Sequence, residues 1–223
     1  LFGHSFHGVY FTGTAMGNRV HGNTIKSNAI NGVYLDTDIV DGNRIISNTF
    51  DGKWFQDYGV SITGGDGNVV TNNRMYGHFD GLFGGSGVVM SGSAVANIVV
   101  GNSMSSNFDT GVWLNGSDVD GNRIVSNTFN GKWSQAYGVY ITDGDRNTVT
   151  NNRMFGHYDG GPGGSGMRLE AAAASNIIAG NTMSSNNDTG LWLNGAGADA
   201  NRISGNTFEG KAAQDYGLFI RDA

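Results

Sequence analysis

The sequence predicts an all-β fold: a solenoid of about eight to nine coils whose walls are parallel sheets. Three observations lead there. The first is a long repeat: residues 32–110 and 111–189 agree at about 50 of 79 positions, 190–223 begins a third copy, and 1–31 is part of an earlier one. The second is a finer beat within it: a Gly followed by an alternating apolar tetrapeptide falls at Gly8, Gly32, Gly59, Gly87, Gly111, Gly138, Gly166, Gly190 and Gly217, at spacings of 24, 27 and 28 residues. The third is the pattern Asn-x-(Val/Ile)-x-x-Asn, which starts at Asn18, Asn43, Asn68, Asn97, Asn122, Asn147, Asn176 and Asn201. Three unequal coils therefore make one 79-residue unit, and the whole of 1–223 reads as one repeat domain.

The tetrapeptides supply the first strand of each coil. Their second and fourth residues run Val9/Phe11, Val33/Leu35, Val60/Ile62, Val88/Met90, Val112/Leu114, Val139/Ile141, Met167/Leu169, Leu191/Leu193 and Leu218/Ile220. All are apolar, as the buried face of a period-two strand requires. A second inward column runs Val20, Ile45, Val70, Val99, Ile124, Val149, Ile178 and Ile203, and a third runs Ile25, Phe50, Met75, Met104, Phe129, Met154, Met183 and Phe208. Three apolar columns with turns between them describe a prism. Between the second and third columns stands an unvaried residue, in the series Asn23, Asn48, Asn73, Asn102, Asn127, Asn152, Asn181 and Asn206. Asn tolerates bent backbone and its amide both donates and accepts, so this series is expected to form an internal ladder from coil to coil.

These columns and Asn-x-Ile-x-x-Asn coils resemble the right-handed parallel β-helix proteins of the pectate-lyase-like superfamily, over nearly the whole chain. The resemblance implies a right-handed parallel β-helix. It implies no single activity, because the superfamily holds polysaccharide lyases, glycoside hydrolases, alginate epimerases, phage tailspikes and adhesins.

Composition narrows the function. The 223 residues include 38 Gly, one Pro and no Cys, with 14% charged residues and a formal charge of −6. The absence of Cys excludes a disulfide framework, and the Gly content lacks the Gly-X-Y period of collagen. Thirteen scattered Lys and Arg in an acidic chain lack the basic footprint of a nucleic-acid binder. No run of 18 apolar residues exists to insert in a membrane. The chain opens on Leu1 and shows no polar or helical cap, so it reads as an excerpt of a longer chain. Open solenoid ends are edge strands, and the expected partner there is another copy of the chain stacked end to end.

Three sets of residues are candidates for chemistry. The long connections RMYGHFDGLFGGS and RMFGHYDGGPGGS offer His78 with Asp80 and His157 with Asp159 as acid/base pairs on outward loops. The competing reading is that Gly and Asp build the turn while His covers the flank of the helix. An alginate epimerase carries Tyr-Gly-(Phe/Ile)-Asp-Pro-His on its active-site strand; YGHFDG at 76–81 and FGHYDG at 155–160 scramble that order and lack the Pro, so no role transfers. The Asp-rich turns at 36–38, 118–120 and 143–145 are candidate calcium sites, set against the plain preference of Asp for turns. No other cofactor is indicated.

The third set is the outward position of the tetrapeptide. It reads Tyr10, Tyr34, Ser61, Val89, Trp113, Tyr140, Arg168, Trp192 and Phe219. Six aromatic rings on one flat wall form a candidate carbohydrate-binding platform, or a face covered by another chain or loop. A second outward column, Arg19, Arg44, Arg123 and Arg202, is a candidate contact for an acidic glycan. Near-identical repeats favour an extracellular or cell-surface structural or adhesive rod, a filament former that touches glycan. A lyase, epimerase or hydrolase scaffold is the alternative, and it requires a singular constellation that the repeats do not display.

Overall fold

The computed structural model describes residues 1–79, 84–132, 134–158, 164–211 and 214–222. Among them the chain winds into a three-walled solenoid with no helix. Sheet 1 has nine strands, from His7–Phe11 and Asn31–Asp36 through Thr110–Asn115, Tyr137–Thr142 and Ser165–Glu170 to Tyr216–Arg221. Sheets 2 and 3 have eight three-residue strands each, such as Arg123–Ile124–Val125 and Thr128–Phe129–Asn130. All pairs are parallel and in register: Val112 lies beside Val139, Ile124 beside Val149, and Phe129 beside Met154.

The three expected apolar columns form the core. From Val33 to Leu191 their members are almost all inaccessible to solvent, whereas Leu218 and Ile220 in the last coil are exposed. A fourth inward position, Val40, Ala94, Val119, Ala173 and Ala198, lies in the turn after sheet 1 and is also buried. The Gly at the second position of the sheet 1 strands, from Gly8 to Gly190, is there because a Cβ would clash with the neighbouring coil. A Cβ on Gly111 would lie 2.3 Å from the ring of Phe129 and 2.6 Å from the carbonyl oxygen of Gly138.

Two corners are built the same way. A residue in the left-handed region precedes each Asn: Gly22, Ser47, Asn72, Gly101, Ser126, Asn151, Gly180 and Gly205 before the expected ladder, all with φ between 52° and 68°. That conformation favours Gly and small polar residues, and it turns the following side chain inward. The ladder is continuous. Each backbone N–H donates to the Oδ1 of the next Asn at 2.8–2.9 Å, from Asn23 to Asn206. The first Asn of the motif forms a second ladder with the same geometry, from Asn18 to Asn201 at 2.8 Å.

The third corner holds a column whose residue type changes with each coil: Asn28, Gln56, His78, Asn107, Gln135, His157, Asn186 and Gln214. Asn28 and Asn107 donate to Gln56 and Gln135 at 3.2 Å, and Gln56 Nε2 lies 3.4 Å from His78 Nδ1. This rotation of three side chains repeats with the 79-residue period. Each coil is shaped to its own corner group.

Candidate functional site

The outer face of sheet 1 gathers the chain's aromatic and polar chemistry. Its central column separates into two stretches. At one end the Tyr10 and Tyr34 rings stack at 5.5 Å and 14°. Ser61 and Val89 follow, both only 6% exposed. The second stretch is continuous: Trp113 stacks on Tyr140 at 6.0 Å and 7°, Arg168 follows, and Trp192 meets Phe219 edge-on at 5.6 Å. Arg168 joins the rings on either side of it, lying 4.7 Å from the Trp192 ring centre and 5.9 Å from that of Tyr140. Period-two strands in register at every coil place these rings on one line.

Two flanking columns extend the platform and were not read from the sequence. The first residue of each strand contributes His7, Tyr137 and Tyr216, packed against Tyr10, Tyr140 and Phe219 at 5.2–5.4 Å. The Tyr-Gly that opens these strands in the second and third repeats was the available signal. The last residue contributes a polar rail paired coil to coil: Asp36, Thr63, Ser91, Asn115, Thr142, Glu170, Asn194 and Arg221. The rail accepts hydrogen bonds from the rings. Tyr10 and Tyr34 donate to Asp36 at 2.6 and 3.0 Å, Trp113 Nε1 donates to Thr142 at 3.4 Å, and Tyr140 donates to Glu170 at 2.5 Å.

Around Arg168 the wall departs from its own repeat. Arg168, Glu170 and Tyr140 stand where the preceding unit has Val89, Ser91 and Ser61. Arg168 donates to Glu170 through Nε at 2.7 Å and also through Nη2, and to the Tyr137 hydroxyl at 2.6 Å. Burial works against its charge, but Tyr137 and Glu170 outweigh that and raise its pKa. Burial, then the bond to Glu170, pushes Tyr140 up to about 12. Tyr140 is therefore a hydrogen-bond donor at neutral pH and not a proton acceptor. These contacts make the wall asymmetric at Arg168, a feature the repeats do not display. Tyr137 and Tyr140 reach Arg168 and Glu170 across 28 to 31 positions, between neighbouring coils, while Arg168 and Glu170 pair two residues apart on one strand. At the end of the wall Asp188, Thr189, Trp192, Tyr216, Phe219 and Arg221 line a cleft of about 210 Å³.

The acid/base loops are also corrected. His78 and His157 are not outward: both are fully buried at the third corner, turned in by Gly77 and Gly156 at φ 71° and 69°. Burial lowers both pKa values to about 3. Imidazoles held neutral out of reach of solvent do no acid/base work on a glycan, and they do not cover the flank of the helix either. Asp80 and Asp159 lie outside the described residues. The acidic turns staple coil to coil: Asp38 accepts from Ser93, Asp120 from Asp145 N–H and Arg146, and Asp143 from Ala172 N–H. Among the described residues no three acidic or histidine side chains converge as a metal site. Arg19, Arg44, Arg123 and Arg202 form an exposed row on sheet 2, away from the aromatic wall.

The fold is similar to solved carbohydrate enzymes. The A-module of the mannuronan C-5 epimerase AlgE4 from Azotobacter vinelandii matches with a TM-score of 0.65 at 16% identity, covering 92% of this chain and 56% of that one. A variant of DFA-IIIase from Arthrobacter chlorophenolicus A6 in complex with DFA-III matches with a TM-score of 0.57 at 20% identity, covering 73% and 33%. The chain thus spans from a third to a little over half of these structures. At such identities the likeness is one of fold. No curated protein matches the chain in sequence. Residues 7–167 and 86–223 match the family described as the right handed beta helix region, and the chain belongs to that family.

Proposed function

We propose that this chain is a polysaccharide-binding segment of an extracellular or cell-surface β-helical rod, with sheet 1 as its binding wall. The observation that carries the reading is the ring column beside a half-buried polar rail. Sugar rings present apolar faces and hydroxyl edges, and a flat wall pairing stacked aromatics with donors and acceptors meets both at once. Neighbouring rings stand 5.5–6.0 Å apart in two groups along the wall, so a glycan chain is held at several points along the axis. End-to-end stacking of copies belongs to the same reading, since parallel in-register sheets extend from coil to coil with the same strand pairing throughout. Sedimentation velocity at rising concentration tests that part, with growth of the sedimentation coefficient expected.

The wall is tested by titrating a panel of neutral and acidic polysaccharides while following tryptophan fluorescence. Binding is expected to shift the emission. Trp113→Ala and Trp192→Ala are each expected to weaken binding about tenfold without changing the thermal midpoint by more than a few degrees. A panel without any binder returns the wall to the role of a subunit contact.

A catalytic role at the same wall is the second reading, favoured by the departure of Arg168, Glu170 and Tyr140 from the repeat and by the fold likeness to a mannuronan epimerase. Proton NMR of glycans incubated with the chain decides it: new anomeric or unsaturated signals that vanish in Arg168→Ala support catalysis.

A further inference from the structure

The polysaccharide reading leaves the charge of the glycan open, and the wall's own ion pairing bears on it. The strands of sheet 1 carry two cations, Arg168 and Arg221, and two carboxylates, Asp36 and Glu170. The cation at the centre of the platform is already committed. Glu170 accepts from Arg168 Nε and Nη2, the Tyr137 hydroxyl accepts from Nη1, and the guanidinium lies over Trp192. Arg221 lies 3.3 Å from Asp222.

The approach to the wall is acidic. Asp57, Asp109, Asp188 and Asp215 immediately precede Tyr58, Thr110, Thr189 and Tyr216, the first residues of four sheet 1 strands, and Asp188 lines the cleft with Trp192 and Phe219. The chain carries a formal charge of −6. A polyanion approaching this face meets like charge and finds the central guanidinium neutralised. A hydroxyl-rich chain meets the opposite: carboxylate, hydroxyl and amide groups of the rail that accept from sugar hydroxyls, beside rings that stack on sugar faces.

Resting on the polysaccharide reading, we infer that sheet 1 takes an uncharged glycan rather than a polyuronate, and that Glu170 sets this specificity by holding Arg168. The guanidinium at the centre of the platform, which would recognise a uronate carboxylate bidentately, is occupied by a carboxylate of the protein itself. Removing Glu170 therefore frees a rigidly placed guanidinium between Tyr140 and Trp192. The wall then acquires a uronate site without any new side chain.

The test compares the chain, Glu170→Gln and Glu170→Ser by calorimetry against soluble β-glucan, xylan and fructan and against alginate and polygalacturonate, in physiological salt. Ser stands at the equivalent position 79 residues earlier, as Ser91, so Glu170→Ser is a second variant suited to the coil should Glu170→Gln fold poorly. Binding is counted as the part abolished by Trp192→Ala, which separates this wall from the arginine row on sheet 2. The expected result is that the unaltered chain binds at least one neutral glycan and no polyuronate, and that the Glu170 variants gain polyuronate binding by about tenfold or more, lost again at high salt. Two results overturn the inference while leaving the polysaccharide reading intact: polyuronate bound by the unaltered chain as tightly as any neutral glycan, or no gain in either folded variant. Binding of no glycan of either class overturns both.

Discussion

Acidification from pH 6.5 to pH 4 is expected to cost this fold on the order of 5 kcal/mol or more through two side chains, His78 and His157. Both are fully buried, and neither Nε2 has a hydrogen-bond partner among the described residues. Their folded pKa values lie near 3 against 6.5 for an unrestrained imidazole, with burial as the main cause. The sign follows from which state binds more protons. Between pH 6.5 and 3 the unfolded chain takes up a proton on each histidine and the folded chain does not. The stability that neutral histidines permit is thus complete above pH 6.5 and is lost as the pH falls toward 3. Each histidine contributes a slope of about 1.4 kcal/mol per pH unit in that window.

Urea unfolding at pH 7, 6, 5 and 4 measures the slope directly. The control is the paired variant His78→Gln with His157→Gln. Gln occupies the same corner at Gln56 and Gln135, fully buried, so an amide fits the column. The paired variant should lose most of the acid slope and each single variant about half of that. A slope unchanged in the paired variant would mean that other groups drive acid unfolding.

The fold was legible because its determinants repeat. Apolar residues at every second strand position and a Gly near the start of every sheet 1 strand leave period-two columns that survive changes of side chain from Val to Leu or Met. The ladder from Asn23 to Asn206 was legible for the same reason. Its twin from Asn18 to Asn201 carried as clear a signal, but only the geometry shows that Asn68, for instance, bonds both Asn97 Oδ1 and the Val40 carbonyl. The third corner was hidden because its residue changes every coil, and Asn28, Gln56 and His78 differ in length and ring, with no common type to align. His78 was misread because Gly-His-aromatic-Asp-Gly looks like loop chemistry. Its direction is set by one left-handed Gly, which no composition reveals. The aromatic column was likewise readable, whereas the Tyr137 contact of Arg168 depends on reach between coils, and its bond to Glu170 on the same strand gave no signal by residue type alone.

Asn127→Ala is expected to cost about 3 kcal/mol, a large loss for a single buried polar side chain. Asn127 is 1% exposed and serves both neighbours at once. Its Oδ1 accepts from the Asn102 backbone N–H at 2.9 Å and from Asn102 Nδ2 at 3.0 Å. Its Nδ2 donates to the Val99 carbonyl at 2.9 Å and to Asn152 Oδ1 at 3.1 Å. Alanine strands the Asn102 N–H and the Val99 carbonyl in a dry corner, at roughly 1–3 kcal/mol for each unsatisfied group. Sheet pairing offers no substitute, because the corner lies between strands and its backbone is fixed by Ser126 at φ 54°. Asn127→Asp is expected to do at least as much harm, since it sets a carboxylate oxygen against two acceptors, the Val99 carbonyl and Asn152 Oδ1. Asn23, half buried in the first coil, supplies the contrast: it donates to Asn48 and to the His21 carbonyl, and Asn23→Ala should cost under about 1 kcal/mol. Urea midpoints of the three variants order the ladder against the sheets. Equal midpoints for Asn127→Ala and Asn23→Ala would show that strand pairing alone holds the coils, with the amides as passengers.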